Sequence, residues 1–287
     1  MSSCRGTRIA AIATIATAAF RFCARSISPR GPQAVQFDGA CKARRANGEE
    51  LKHLMFVGAF GEYCIVQEQQ AIAVPADIPF DRACLIGCGV MTGVGAALNV
   101  AHIGQADNVM VIGCGAVGLS AVQGARLAGA AKIIAVDIDE GKLALAQRMG
   151  ATHGVNAKRE DVAAAARQET SGRGADVVIE AAGSATALRA TVEAVRPGGE
   201  VVWLGKIDVN DEVNFRWGAL MQEKRIRRSS YGDARPARDF PMLAKAYLEG
   251  RLMLDDLITQ RIRLDNVNEA FSALRDGKVI RSVITFD

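Results

Sequence analysis

Between residues 108 and 205 the chain alternates compact apolar runs with stretches of helical spacing, and no other feature constrains its fold as tightly. NVMVIG (108–113), KIIAVD (132–137), ADVVIEAAG (175–183) and EVVWLG (200–205) are nearly continuous apolar runs. Strands buried on both faces read this way, whereas half-exposed strands alternate. Between them AVGLSAVQGARLAGA, EGKLALAQRMGA, DVAAAARQETSGRG and ATALRATVEAVRPGG read as helices, several closed by glycine. HGVN (153–156) reads as a third strand and RIRRSSYG (225–232) as a candidate sixth. Strands alternating with helices of this length form right-handed βαβ units. The expected class is α/β with a doubly wound parallel sheet.

The first of these strands runs directly into Gly113-Cys-Gly115-Ala116-Val117-Gly118, which opens a helix. Gly-x-Gly-x-x-Gly is a weak signal alone, but a preceding strand and a following helix are the context a dinucleotide turn requires. Gly113 makes the tight turn, Gly115 lets the backbone approach a pyrophosphate, and Gly118 lets helix pack on strand. Ala116 and Val117 complete the turn, and the helix start offers free N–H groups and a positive dipole end to the phosphates. Asp137 ends the second strand 19 residues after Gly118, where a carboxylate meets the adenosine ribose. That charge repels a 2′-phosphate, so the expected cofactor is NAD rather than NADP.

A second Gly-Cys-Gly stands upstream in ACLIGCGVMTGVGAA (83–97). It follows no apolar strand, and its third glycine is one residue too far on. It reads as part of a helix, PFDRACLIGCGVMTGVGAALNVAHI, whose glycines permit close packing, and Cys88 needs another explanation. Before it, FGEYCIVQEQQAIAVP alternates and reads as two short strands ending at Pro75. From Pro236 onward come two helical patterns, around FPMLAKAYLEG and NVNEAFSALRDG, and a closing strand in VIRSVITF.

Composition narrows the function classes. A net charge of +4 over 287 residues singles out neither a nucleic-acid nor a membrane surface. The basic cluster Arg225, Arg227, Arg228, Arg235 and Arg238 reads as a solvated rim or as cofactor-facing. The seven cysteines include no C-x-x-C pair, which argues against a disulfide framework and for a reducing compartment, the cytoplasm. The first 37 residues carry five arginines and no acid before Asp38, and the apolar run Ile9–Phe20 is too short to span a bilayer. This start has the character of an organellar transit peptide, of a signal-peptide core, or of an aberrant N-terminus without an address. His53 reads as exposed, His102 as a cap or surface residue, and His153 as the start of a strand.

In order along the chain, GAFGEYCIV, ACLIGCGVMTGVGAA, VMVIGCGAVGLSAVQGARLAGA, IIAVDIDEGKLALAQRMGAT, VVIEAAGS, RPGGEVVWLG, LITQRIRLDNVNEAF and GKVIRSVITF resemble a zinc-type medium-chain alcohol dehydrogenase. The resemblance runs from about Gly58 to Asp287. It implies a Rossmann domain over residues 90–232 and a remnant of a GroES-like catalytic domain in 54–89 and 233–287, with 1–53 left as an atypical segment for which disorder is one expectation. It implies Cys88 as a ligand of catalytic zinc and Thr92 beside the nicotinamide, at the catalytic end. It places Asp137 and Lys142 at the ribose and Arg281 on the pyrophosphate. The implied reaction is hydride transfer between an alcohol or aldehyde adduct and NAD, with zinc as Lewis acid. The family's other zinc ligands, a cysteine and a histidine, lie in an upstream domain, and its GHE motif and structural-zinc cysteines are absent from this sequence. A chain shortened by roughly a hundred residues is the expectation. Three readings follow: an impaired zinc enzyme, a non-catalytic NAD(H)-binding or interaction protein, and a zinc-independent reductase, against which Cys88 and Asp137 argue. Family members are often homo-oligomers joined at the edge of the cofactor domain, here near EVVWLGKIDVNDEVNF. No nucleic acid or membrane partner is expected.

Overall fold

The computed structural model describes residues 44–51, 59–64, 66 and 68–286. The arginine-rich start, His53, Cys4, Cys23 and Cys41 lie outside them. Two compact units emerge. One comprises the described residues of Met1–Cys88 with Arg235–Gly250 and Ile258–Asp287; the other comprises Gly89–Ala234 with Arg251–Leu257.

The second unit is built on six parallel strands: β1 (Asn108–Ile112), β2 (Lys132–Asp137), β3 (His153–Asn156), β4 (Ala175–Glu180), β5 (Val195–Trp203) and β6 (Arg225–Arg228). Their order is β3-β2-β1-β4-β5-β6, every neighbouring pair parallel. This is the doubly wound arrangement, with its switch point between β1 and β4, where the connections turn to opposite halves of the sheet. The apolar runs lie where their composition demands: β4 is buried along its whole length, and Met110, Ile134, Val178 and Val201 are fully buried.

Helix starts are written in the local sequence. Among α2 (Ala116–Ala128), α3 (Glu140–Arg148), α4 (Val162–Glu169) and α5 (Ala185–Ala194), the last three begin at Asp139, Asp161 and Ser184, whose side chains accept the N–H of Lys142, Ala164 and Ala187. Each such cap satisfies an amide that the helix leaves open. Helix α5 stops at Ala194 and β5 begins at Val195, earlier than the expected start at Glu200. Pro197 and the following glycines cannot carry the helix on. The extra residues are absorbed by an irregularity, with Ala175 paired to Val195 and Val177 already paired to Glu200.

Asp176 anchors this irregularity. Its carboxylate accepts Asn108 N at 2.8 Å and Asn108 Nδ2 at 3.0 Å, and pairs with the Arg196 guanidinium. Burial pushes its pKa up, but the Asn108 and Arg196 donors outweigh this, so it lies below the ordinary carboxylate value. A depressed carboxylate stabilises the fold fully above the unfolded pKa and loses that contribution as pH falls through the folded value. Asp176→Asn is therefore expected to destabilise by about 1–3 kcal/mol at pH 7. In urea unfolding the gap to wild type should stay constant down to about pH 4 and close below it.

Helix α1 (Phe80–Val100) precedes β1 and contains two π turns, Ile86–Val90 and Ala96–Val100. By length and composition it is apolar enough to cross a membrane, but 78% of its apolar window is buried within the protein, as in a core helix. Its glycines serve packing: a Cβ on Gly93 would lie 2.2 Å from the Val117 carbonyl of α2, and one on Gly95 would lie 2.4 Å from the Gly232 carbonyl. Gln123 of α2 ties in the Arg251–Leu257 segment, donating to the Met253 carbonyl at 2.9 Å and accepting Met253 N at 2.7 Å.

The first unit contains α6 (Pro236–Leu248), α7 (Val267–Arg275) and the parallel pair β7 (Gln260–Ile262) and β8 (Ser282–Ile284). Asp81 accepts Arg261 Nη2 at 2.9 Å, and Phe60 meets Phe271 edge to face. The two strands expected between Phe60 and Pro75 do not form among the described residues, which hold only a 3₁₀ turn, Glu68–Gln70. Alternation becomes a strand only where a neighbouring chain completes its hydrogen-bond ladder, and no described segment does so here.

Candidate functional site

The site grows from the end of β1. Gly113 turns the chain with φ +95°, a conformation that side chains disfavour, and its N–H donates to the Val136 carbonyl at 2.7 Å. Cys114 N donates to Asp137 Oδ2 at 2.7 Å, so the tip of β2 holds the turn from the side. Gly115 is the N-cap of α2, in ordinary extended conformation and without a side-chain cap. A Cβ built on it meets nothing within 4 Å, whereas one on Gly118 would lie 1.7 Å from the Gly113 carbonyl oxygen. Two glycines of one motif thus have opposite surroundings: Gly118 is crowded by its own turn, and Gly115 faces open space. The first amides of α2, those of Ala116 and Val117 among them, are those a helix cannot satisfy internally.

Asp137 is half-buried at the strand tip. Its Oδ1 accepts the N–H of Ile138 at 2.8 Å and of Asp139 at 3.0 Å, besides the Cys114 N–H on Oδ2. Three donors leave acceptor capacity on a carboxylate with about four lone-pair sites. Lys142 stands at the start of α3, and its charge reaches Cys114. Burial pushes the Cys114 thiol far up, and Asp137 adds to the shift; with its Sγ turned to the Val136 carbonyl, Cys114 is structural.

The remaining expected residues lie elsewhere. Thr92 is a buried residue of α1 in the same unit as the turn. Cys88 and Arg281 belong to the first unit. Cys88 is exposed and sits in the first π turn of α1 between buried glycines; such turns are frequent at functional sites. Arg281 is half-buried, donates to the Ile280 carbonyl at 3.1 Å, and has its pKa lowered by burial against the opposing field of Cys88. His153 is engaged structurally: its Nε2 lies 2.9 Å from Glu169, itself paired with Lys132. His102 has φ +49° just beyond α1.

One residue of this neighbourhood went unnoticed in the sequence. Glu180, the last residue of β4, is fully buried beside the turn. The signal was an acid following the apolar run Val177–Ile179, immediately before Ala-Ala-Gly.

A strand, a glycine turn with room before its second glycine, a free helix start and an acid at the next strand tip define a dinucleotide-binding α/β protein. A family model for zinc-binding dehydrogenases matches residues 116–248. The chain is 35% identical over 256 residues to S-(hydroxymethyl)glutathione dehydrogenase of Saccharomyces cerevisiae, covering 87% of this chain and 66% of that protein. It is 32% identical to alcohol dehydrogenase class-3 of Cereibacter sphaeroides, covering 88% of this chain and 70% of the relative. Among solved structures, an alcohol dehydrogenase zinc-binding domain protein from Burkholderia ambifaria superposes with a TM-score of 0.83 at 33% identity, covering 89% of this chain and 69% of that one. The chain belongs to the zinc-type medium-chain alcohol dehydrogenase family, and it spans about two thirds of the length of the curated relatives it matches.

The two cofactors of the family fare differently. NAD fits: the space before Gly115, the first amides of α2 and the spare acceptor capacity of Asp137 suit a pyrophosphate and a ribose. Zinc does not fit the described residues, among which no three His, Cys, Asp or Glu side chains gather around a common point. Cys88 is one thiol where a catalytic zinc takes three protein ligands.

Proposed function

We propose that this chain binds NAD(H) at the Gly113–Gly118 turn and serves hydride transfer between NAD and an alcohol or aldehyde adduct. The observation that carries the reading is Gly115, which lacks a side chain where open space and free amides meet. When bound, NAD supplies a nicotinamide carbon that accepts or returns hydride. The protein's own part is to hold the pyrophosphate on the α2 amides and the ribose on Asp137, with Lys142 beside it. Asp137 places its charge where a 2′-phosphate would stand, which favours NAD over NADP. The names of the relatives support the alcohol or aldehyde-adduct substrate. The sheet edge at β6, with all four residues exposed, and the almost fully exposed Val209 in the segment after β5 support association of two copies.

A second reading, NAD(H) binding without turnover, is favoured by the isolation of Cys88 among the described residues. Fluorescence titration with NADH, metal analysis of the purified protein and an assay of alcohol-dependent NADH formation separate the two. The enzyme reading expects saturable NADH binding and turnover, and about one zinc per chain only where residues outside the described ones complete the ligand set of Cys88. Binding with neither zinc nor turnover supports the second reading, and absence of NADH binding defeats both.

A further inference from the structure

We propose that Glu180 is a positioning residue for the cofactor turn, acting through the backbone that backs Gly113. The inference rests on the reading that the turn binds NAD(H). Glu180 ends β4 at the switch point, paired in register with Ile112 of β1, and the next residue, Ala181, donates its N–H to the Ile112 carbonyl at 2.8 Å. Its side chain is withdrawn completely from solvent. Burying a carboxylate is strongly unfavourable unless hydrogen bonds repay it, so an acid here calls for a specific contact.

That contact is to the loop between β4 and α5. Glu180 Oε1 accepts Ala182 N at 2.8 Å and Gly183 N at 2.6 Å, folding the side chain over its own strand end. The loop so held is the wall behind the glycine turn: a Cβ on Gly113 would lie 2.6 Å from Ala182 N and 2.8 Å from Ala182 Cα. Gly113 in turn carries the carbonyl against which Gly118 of α2 packs. The chain of contact therefore runs from the carboxylate to the 182–183 backbone, to Gly113, and to the helix start that faces the phosphates.

The fit leaves no slack. Oε2 has no hydrogen-bond partner and lies against Gly205, where a Cβ would come within 2.5 Å of it and 2.4 Å of Gly183 N. Burial pushes the Glu180 carboxyl above its ordinary pKa, opposed by the Gly183 and Ala182 amides that Oε1 accepts and by the charge of Arg228. Arg228 is itself fixed, its Nη1 donating to the carbonyls of Trp203, Leu204 and Ser229.

The test measures NADH affinity by fluorescence titration, and hydrogen exchange at the Ala182 and Gly183 amides, in wild type and in Glu180→Gln, Glu180→Asp and Glu180→Leu. Glu180→Leu should raise the NADH Kd roughly tenfold and speed exchange at both amides by a similar factor, since two buried donors lose their acceptor. Glu180→Asp keeps the charge but falls one methylene short, and should weaken binding about fivefold. Glu180→Gln keeps an oxygen on the same amides and should stay within about threefold of wild type in both measurements. A Leu or Asp variant that binds NADH within twofold of wild type overturns the proposal, as does a Gln variant as weak as Asp. If Glu180→Leu fails to fold, the Asp and Gln pair decides. Failure of wild type to bind NADH overturns the underlying reading and this proposal with it, whereas normal wild-type binding with indifferent variants overturns the proposal alone.

Discussion

Gly115→Val is expected to abolish measurable NADH binding while leaving the fold untouched. Gly115 has φ −72° and ψ −176°, which any residue adopts, so valine introduces no backbone strain. Its Cβ would meet nothing within 4 Å, so valine introduces no clash either. The isopropyl group would stand in the space before the first amides of α2, where the pyrophosphate has to lie for those amides to reach it. The expected result is an NADH Kd raised at least about 100-fold, equivalent to about 2.7 kcal/mol of lost binding. Thermal unfolding should shift by no more than about 2 °C, as for a surface substitution. Unchanged NADH affinity in this variant would remove the turn from the binding site.

Gly118→Ala is expected to do the reverse and damage the fold first. The added Cβ would lie 1.7 Å from the Gly113 carbonyl oxygen and 2.9 Å from its carbon. These are backbone atoms, unable to swing aside like the end of a flexible side chain. Nor can Gly113 retreat, because the Ala182 backbone stands behind it. Either α2 lifts from the turn or the turn breaks its hydrogen bond to Val136. Overpacking against backbone at such a point is expected to destabilise by about 3 kcal/mol or more, lowering Tm by roughly 6–12 °C. Gly218→Ala is the control: a Cβ there also meets nothing within 4 Å, and stability should stay within about 0.5 kcal/mol. A Gly118→Ala protein that melts with wild type would show that the turn is looser than its contacts imply.

The two glycines show how far the sequence could be read. Their spacing, the strand before them and Asp137 after them announced a strand, a glycine turn and a helix in that order, as the structure has them. The same text could not say that one glycine is crowded by its own turn while the other faces open space. The parallel sheet was legible because its four central strands declare themselves through nearly continuous apolar runs, and Asp139, Asp161 and Ser184 mark their helix starts within one turn of chain. The strands expected before Pro75 do not form among the described residues, because alternation cannot reveal whether a partner strand exists. The early start of β5 was hidden because Asp176, which holds the irregularity through Arg196, lies 20 residues upstream of it.

By itself the sequence determined the doubly wound half of this protein and marked the glycine turn on which the proposed cofactor site rests. Periodicity, capping and glycine sterics act over a few residues and leave their marks in order along the chain. Only the tertiary structure decided that Cys88 stands in a π turn with no gathered ligand set among the described residues. It alone placed Glu180 inside the protein, gripping the loop behind Gly113. Ligand sets and buried charges depend on which distant segments converge, and convergence in space leaves no periodic trace in the sequence.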